Sequence, residues 1–286
     1  MYKMAKWVLI IVGVIVTGVF IAFFIGKMHE SENADALQKT LQQSAYQPVV
    51  GRVDFQSLSE LPPPVARYFR HVLTDGQAFI RTARMQQSGE LRSSTSQEKW
   101  SSFTAQQLIV PAATGFVWNA KVRMPFATHV RVVDSYIDGT GSGRVSLLSA
   151  FAIAADAANL QLNSGALHRY LAEAVWYPSA LLPQSGIVWT ALDDQSALAT
   201  LSDSGTTVSL EFRFNKIGEV TGIYSPGRYG RFDGEYRQVP WEGHFSDYQQ
   251  QAGMRIPHNG EVGWYIDGAL QLVWKGELSD IVYEFE

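Results

Sequence analysis

One segment has the spacing of a known catalytic motif. Ser96-Gln97-Glu98-Lys99 spells S-x-x-K, in which a lysine beside a serine hydroxyl helps to form an acyl-enzyme. The partner motifs of such enzymes are missing, and the segment falls in a predicted strand rather than at a helix start. No nucleophile elbow, phosphate-binding loop or dinucleotide fingerprint occurs in the sequence. We therefore interpret S-x-x-K as a chance match and assign no catalytic residue.

The histidines are the second source of chemistry. The chain has six, and none has another histidine three or four positions away, so no helical metal-binding pair exists. Cysteine is absent, which excludes disulfides and thiolate metal sites. We predict no metal and no cofactor. A hydrolase site on neighbouring strands stays open as an alternative, built from His244, Asp247, His258 and Glu261. The competing interpretation is polar residues on the surface of paired strands.

Composition limits the class of protein. The 286 residues are 46% hydrophobic, enough to form a packed core, and only 17% are charged. The 23 basic and 27 acidic residues give a net charge of −4, which opposes general nucleic-acid binding. We predict no nucleic-acid partner.

The N-terminus contains the strongest signal in the sequence. Residues 7–26 carry no charge and consist almost entirely of Val, Ile, Phe, Leu and Gly. At about 1.5 Å per residue they span roughly 30 Å, the thickness of a bilayer's hydrocarbon core, whereas a cleaved signal has about 7–15 apolar residues. We predict an uncleaved transmembrane signal-anchor over residues 1–27 that contacts the bilayer. Two lysines precede the run and one follows it, which predicts a cytoplasmic N-terminus and an extracytoplasmic segment 28–286.

The rest of the chain divides into a stalk and one domain. Residues 28–48 are polar and rich in Gln, Ser and Glu; we interpret them as a stalk, although Leu37 and Leu41 would share one side of a short helix. Residues 49–286 form a single β-rich domain. It opens with a helix after Pro62-Pro63-Pro64, whose apolar face consists of Val65, Tyr68, Phe69 and Val72.

From about residue 80 onward, apolar residues recur at every second position instead of at helical spacing. GFVWNAKVRM and TTVSLEFRF alternate apolar and polar residues, as do about ten further segments, which is typical of antiparallel strands with one buried face. Turn dipeptides separate several of these segments: Asp138-Gly139, Ser204-Gly205, Asn259-Gly260 and Asp267-Gly268.

One stretch interrupts the strands. Residues 145–182 are rich in Ala and Leu and predict two or three helices, broken at Asn163-Ser164-Gly165 and Tyr177-Pro178. The fold class is therefore α+β and mainly β. We expect a large curved antiparallel sheet, a half-barrel with a central helical insertion, preceded by one transmembrane helix.

Tryptophans concentrate in the predicted domain. Most such residues simply fill a core, but a curved sheet around helices could also leave an apolar cavity among them. The candidate ligand-binding aromatics are Trp118, Trp176, Trp189, Trp241 and Trp264.

Five ordered blocks carry a family resemblance: LPPPVARYFRHVL, GFVWNAKVRM, LAEAVWYPSALLPQSGIVWTALDD, SLEFRFNKIGEV and PWEGHFSDYQQQAGMRIPHNGEVGW. Over residues 58–286 the chain resembles a family of bacterial membrane-anchored proteins known only as a domain of unknown function. The resemblance implies a bacterial cytoplasmic membrane and no particular activity. The order of elements is more loosely similar to LolA- and LppX-type lipoprotein carriers, in which a half-barrel encloses an apolar cavity.

Four polar residues of these blocks lie beside aromatic residues and complete the candidate site: Arg67, Glu173, Asp247 and Arg255. Arg255 would also face Glu261 across a hairpin at Asn259-Gly260. Our leading hypothesis is a membrane protein whose outward domain binds a lipid or acyl chain. The alternatives are a hydrolase, with Asp247, Glu261 and His244 converging in one cleft, and an envelope scaffold without a ligand.

Overall fold

The alternating segments form thirteen strands of one open antiparallel sheet. The computed structural model describes residues 2–45, 51–92, 94–95 and 98–285, so Ser96 and Gln97 of the S-x-x-K segment and the stalk residues 46–48 lie outside the described residues. The strands are β1 (Ile80–Leu91), β2 (Ser101–Val110), β3 (Gly115–Met124), β4 (Thr128–Ile137), β5 (Thr140–Leu147), β6 (Phe151–Ala157), β7 (Ile187–Asp193), β8 (Ser196–Asp203), β9 (Thr206–Phe214), β10 (Val220–Phe232), β11 (Glu235–Gln251), β12 (Met254–Ile266) and β13 (Ala269–Phe285).

Three helices accompany the sheet: α1 (Tyr2–Ser44), α2 (Pro63–Val72) and α3 (Leu160–Glu173). The strand order is β6-β5-β4-β3-β2-β1-β13-β12-β11-β10-β9-β8-β7. The first and last strands therefore pair in the middle of the sheet, and the two edge strands, β6 and β7, are neighbours in the chain joined through α3. The sheet curls around α3, which contacts β4 and β5 on one side and β9 and β10 on the other. The predicted fold class is confirmed.

Turn chemistry fixes most of the hairpins. Asp138-Gly139, Ser204-Gly205 and Asp267-Gly268 all have positive φ at both residues, as two-residue hairpin turns require. The predicted turn at Asn259-Gly260 is wrong, because both residues lie inside β12 and pair with β11 and β13. Gly260 is needed there because a Cβ would lie 3.3 Å from the Trp176 ring.

The predicted ion pair between Arg255 and Glu261 depended on that turn and is also wrong. Arg255 and Glu261 belong to the same strand, so they do not face each other across a hairpin. Arg255 pairs instead with Gln250, and Glu261 with His244.

The Ala- and Leu-rich stretch is only partly helical, which corrects the predicted insertion. Its first part forms the end of β5 and all of β6, and α3 begins at Leu160. Asn159 caps α3 by accepting a hydrogen bond from the Leu162 N–H at 2.7 Å. The helix continues through the predicted break at Gly165, where the missing Cβ allows close approach to the Tyr229 carbonyl of β10. Short 3-10 turns then carry the chain past Pro178 to β7.

Helix α1 does not end with the apolar run. Its polar half packs on the outer face of the sheet, where Ala34 and Leu41 join a buried cluster with Val117 and Val133. Residues interpreted as a stalk thus continue the helix through Ser44, because small and apolar residues recur on one side. Its other half is exposed and has the length and composition of a membrane anchor or signal sequence. The boundaries at residues 27 and 48 remain predictions.

An ion pair fixes α1 on the sheet. The Arg144 guanidinium lies 2.6 Å from Glu30 Oε1, and Arg131 donates to the Glu30 carbonyl at 3.1 Å. The hydrogen bond from Arg144 lowers the pKa of Glu30 despite its partial burial. The Phe23 ring lies 6.3 Å from that of Phe151, so α1 leaves the domain beside the β5–β6 turn.

Helix α2 fills the opposite end of the curled sheet. Its predicted apolar face is confirmed, since all four of its residues are buried. Tyr68 packs against Phe214 and Phe69 against Trp189, with ring centroids 5.8 and 6.4 Å apart. The hydrophobic core therefore fills one end of the curled sheet, and the cavity lies toward the other end.

Candidate ligand-binding cavity

The concave side of the sheet encloses a cavity of about 680 Å³. That volume lies within the range of roughly 300–1,000 Å³ that is typical of small-molecule sites. The apolar face of each strand points inward with period two, so alternate residues of β3, β4, β11 and β13 form the walls. The walls include Trp118, Val132, Val145, Trp176, Trp241 and Trp274.

The cavity reaches the end of the sheet from which α1 departs. Arg92, Lys99 and Met124 line it there, on the β1–β2 loop and at the end of β3. Because consecutive strands are antiparallel, this loop lies at the same end as the β5–β6 turn, where Phe151 contacts α1. The mouth of the cavity and the apolar half of α1 therefore lie on the same side of the domain.

The inner wall carries a partly buried ionic network centred on Arg169 of α3. Arg169 Nε donates to Glu173 Oε1 at 2.7 Å, and Nη1 donates to Asp134 Oδ2 at 3.0 Å. Its guanidinium also stacks over the Trp118 and Phe116 rings, at 4.8 and 5.0 Å from their centroids. Burial opposes this charge, but Glu173 and Asp134 outweigh burial and raise the pKa of Arg169.

Two glutamines extend the network into the sheet. Gln107 donates to Glu173 Oε2 at 2.6 Å and accepts from Gln87 at 3.0 Å. Gln87 in turn accepts a hydrogen bond from the Trp118 indole at 2.8 Å. Burial raises the pKa of Asp134, which keeps one carboxyl of the network easier to protonate than usual. This part of the cavity wall is polar, but each polar side chain of the network has a hydrogen-bond partner.

A second arginine, Arg228 of β10, lies beside the network. β10 has one extra residue between Ser225 and Arg228 relative to β11, and this bulge turns Arg228 toward the cavity. Its guanidinium lies against two neighbouring rings, 4.5 Å from the Trp241 centroid and 5.1 Å from that of Trp264. Burial, with the charge of Arg169, lowers the pKa of Arg228 to about 9, so the side chain is charged at neutral pH.

The structure brings four of the nine candidate residues to the cavity. Trp118, Trp176, Trp241 and Glu173 line it. Trp264 lies behind Trp241 and lines an adjoining cavity of about 230 Å³, which shares Asp134, Arg169 and Arg228 with the first. Their role in binding a ligand remains a prediction.

The other four candidates lie elsewhere. Trp189 is part of the core, where its indole donates to the Leu181 carbonyl at 2.9 Å. Arg67 donates to the Asp194 carbonyl at 3.1 Å, beyond the filled end of the sheet. Asp247 is exposed and accepts a hydrogen bond from Gln249. Arg255 lines none of the cavities identified in the described part of the chain.

The acid–base residues proposed for a hydrolase do not all meet. His244 pairs with Glu242 at 2.9 Å and with Glu261 at 3.3 Å. Asp247 is exposed, has a φ of 59°, and contacts Gln249 rather than these residues. Within the described ranges, no cluster of three or more His, Asp or Glu side chains is arranged to hold a metal ion.

Sequence reasoning missed both buried arginines. For Arg169 a signal existed, because Arg169 and Glu173 are four residues apart on a predicted helix and so share one face. For Arg228 the signal was weaker: Pro226-Gly227 inside a strand segment indicates a bulge but not its direction.

His168, a buried residue of α3, gives the stability of the domain a pH dependence. Its Nδ1 donates to the Ser164 carbonyl at 3.0 Å, and burial, followed by the charge of Arg228, lowers its pKa to about 4. Between pH 6.5 and 4 the unfolded chain therefore binds a proton that the folded chain does not. We expect the free energy of unfolding to fall by about 3 kcal/mol across this window relative to His168→Gln, measured by urea unfolding of the full chain. His29→Gln, at an exposed histidine, is the control; an equal pH slope in His168→Gln would contradict the assignment.

These features define a class of protein: an open antiparallel sheet curled around a helix, with an apolar cavity inside. The chain belongs to the family of unknown function DUF6544, whose sequence pattern matches residues 51–276. This match confirms the family resemblance carried by the five sequence blocks. A comparison with curated proteins gave no match.

Two solved structures are similar to the chain at low identity. A LolA superfamily protein from Nitrosomonas europaea is 10% identical, with a TM-score of 0.40 over 82% of this chain and 95% of that one. A beta-barrel-like protein of the DUF1849 family from Brucella abortus is 11% identical, with a TM-score of 0.23 over 72% of this chain and 99% of that one. The LolA-type likeness expected from the order of elements is thus present, but it is too distant to assign a ligand.

Proposed function

We propose that the domain binds one apolar chain, such as a lipid acyl chain, inside the cavity. The observation that carries this proposal is the open-mouthed cavity of about 680 Å³, whose walls are mainly valine and tryptophan side chains. Burial of each methylene group in such a site contributes about 0.8 kcal/mol, so about ten of them would contribute about 8 kcal/mol before the cost of ordering the chain. An apolar chain is the ligand that gains most from these walls.

The position of α1 supports a lipid source for that chain. We propose that residues 7–26 cross the bacterial cytoplasmic membrane once, with a cytoplasmic N-terminus and residues 28–286 outside. The mouth of the cavity would then face the bilayer surface, because it lies at the end where α1 leaves the domain. Phe126, at the tip of the β3–β4 turn, is 98% exposed at this same end. An exposed aromatic at the mouth suits contact with the membrane interface.

Photolabelling tests the proposal. The full chain would be placed in nanodiscs of phosphatidylcholine and phosphatidylglycerol that contain a diazirine-tailed hexadecanol, irradiated, and digested for peptide mapping. We expect label on cavity residues such as Val132 and Trp176, in addition to the label that bilayer contact gives to residues 7–26. Label confined to the N-terminal helix and the exposed turns would reject an internal binding site.

A further inference from the structure

The two buried arginines of the cavity differ in what neutralises them. Arg169 is held by two carboxylates, those of Glu173 and Asp134. Arg228 forms no ion pair with any described carboxylate, and its Nε and Nη2 both donate to one backbone carbonyl, that of Gly165, at 3.2 and 2.9 Å. Its Nη1 donates to nothing in the described part of the chain. The cavity wall therefore contains a guanidinium with spare hydrogen-bonding capacity and no counter-charge of its own.

We propose that Arg228 binds the acidic group of the ligand, a carboxylate or a phosphate, while the apolar chain occupies the rest of the cavity. This inference rests on the proposed function and specifies its ligand as a single-chain anionic amphiphile. The carboxylate could come from a fatty acid and the phosphate from a lipid headgroup.

A second donor lies beside Arg228. Trp241 lines the cavity and is only 3% exposed, yet its indole Nε1 is buried without a hydrogen-bond partner among the described residues. Buried donors of this kind are rare, because leaving one unsatisfied costs about 1–3 kcal/mol. The guanidinium lies 4.5 Å from the centroid of the same ring. A carboxylate or phosphate has several acceptor oxygens, so an anion held by Arg228 keeps acceptors free for a neighbouring donor such as this indole.

The surroundings of Arg228 strengthen its interaction with an anion. The Trp241 and Trp264 rings both lie within about 5 Å of the guanidinium, on adjacent sides of it, and make its immediate surroundings largely apolar. Glu173 and Asp134 attract the Arg228 charge from a distance, but their hydrogen bonds go to Arg169. An unpaired charge in an apolar site is unfavourable, whereas the same charge paired with a ligand anion in a water-poor site is strongly attracted to it.

Competition between matched amphiphiles tests this inference. The full chain in the same nanodiscs would be photolabelled with diazirine-tailed hexadecanol in the presence of palmitic acid, hexadecyl phosphate or 1-hexadecanol at equal mole fractions. We expect at least one of the two anions to suppress cavity labelling about tenfold more effectively than hexadecanol, as a charge-assisted hydrogen bond predicts. Palmitic acid alone would indicate a fatty carboxylate, and hexadecyl phosphate alone a phosphate headgroup.

Two variants separate charge from shape. In Arg228→Met the advantage of the anions should disappear while labelling by the neutral alcohol persists, and Arg228→Lys should recover part of that advantage. Equal competition by palmitic acid, hexadecyl phosphate and hexadecanol in the wild-type chain would overturn the inference about Arg228 but not the proposed binding of an apolar chain. This test does not depend on whether the variants fold. Absence of any cavity labelling would instead reject the proposed function itself.

Discussion

Val132→Trp should abolish most ligand binding without unfolding the domain. Val132 lies on the inner face of β4 between Ala120 and Val145, with its side chain against the cavity. An indole there would displace about three methylene groups of a bound chain, which costs about 2.4 kcal/mol and lowers occupancy by more than about tenfold. Photolabelling of cavity peptides measures the loss. Because the new ring enters empty space, we expect the free energy of unfolding to stay the same or rise by about 1 kcal/mol.

The matched control is Val188→Trp. Val188 also lies on a strand, β7, but its side chain is 64% exposed and faces away from the cavity. Labelling should match that of the wild-type chain. Equal labelling in both variants would show that the probe does not occupy the space next to Val132.

Arg169→Met should produce the largest loss of stability among single substitutions in the cavity wall. The substitution leaves Glu173 and Asp134 without their cation, while Gln107 still donates to Glu173. Removal of one partner from a fully buried ion pair costs about 3–5 kcal/mol; these side chains are 14–34% exposed, so we expect a loss of about 2–3 kcal/mol. Urea unfolding of the full chain, followed by tryptophan fluorescence, measures the difference.

Two further variants separate this network from a surface effect. Arg213→Met removes an arginine that is 41% exposed and pairs with Glu211 and Glu242; Glu242 keeps His244 and Tyr265 as partners, so we expect a loss within about 1 kcal/mol. Adding Glu173→Gln to Arg169→Met should recover part of the lost stability, since a neutral amide then replaces one unpaired carboxylate. A loss of similar size in Arg169→Met and Arg213→Met would contradict the buried network.

Local sequence patterns predicted the strands and most hairpin turns, because these features depend on residues that are close together in the sequence. Alternation in β3 and β9 records which face is buried, and Asp138-Gly139 is a turn because its backbone needs positive φ at both residues. The turn predicted at Asn259-Gly260 is wrong because the glycine there serves a tertiary contact: it lies close to the ring of Trp176, which is distant in the sequence. The packing of α1 on the sheet likewise depends on partners more than 100 residues away, such as Arg144.

The candidate site was predictable only in its apolar part. Trp118, Trp176 and Trp241 were identified because aromatic residues on one face of a strand or at a helix end must fill or line an interior. Arg228 was not, because a strand bulge decides whether it points inward, and a bulge of one residue leaves little trace in the sequence. Asp247 and Arg255 were chosen for neighbouring aromatics, a criterion that does not distinguish the two faces of a strand.

The pairing of β1 with β13 determines how the cavity could change its width. Both free edges of the sheet fall at β6 and β7, and no backbone ladder joins these edges in the described sheet. Across that gap the contacts are made by α3 and by side chains, including Tyr136 with Asp203 and Tyr236 with Asp156, each at 2.7 Å. The width of the sheet across this gap therefore depends on α3 and on a small number of side-chain hydrogen bonds. We therefore expect any change in the width of the cavity to occur across this gap, because hydrogen-bonded ladders fix the register of the rest of the sheet.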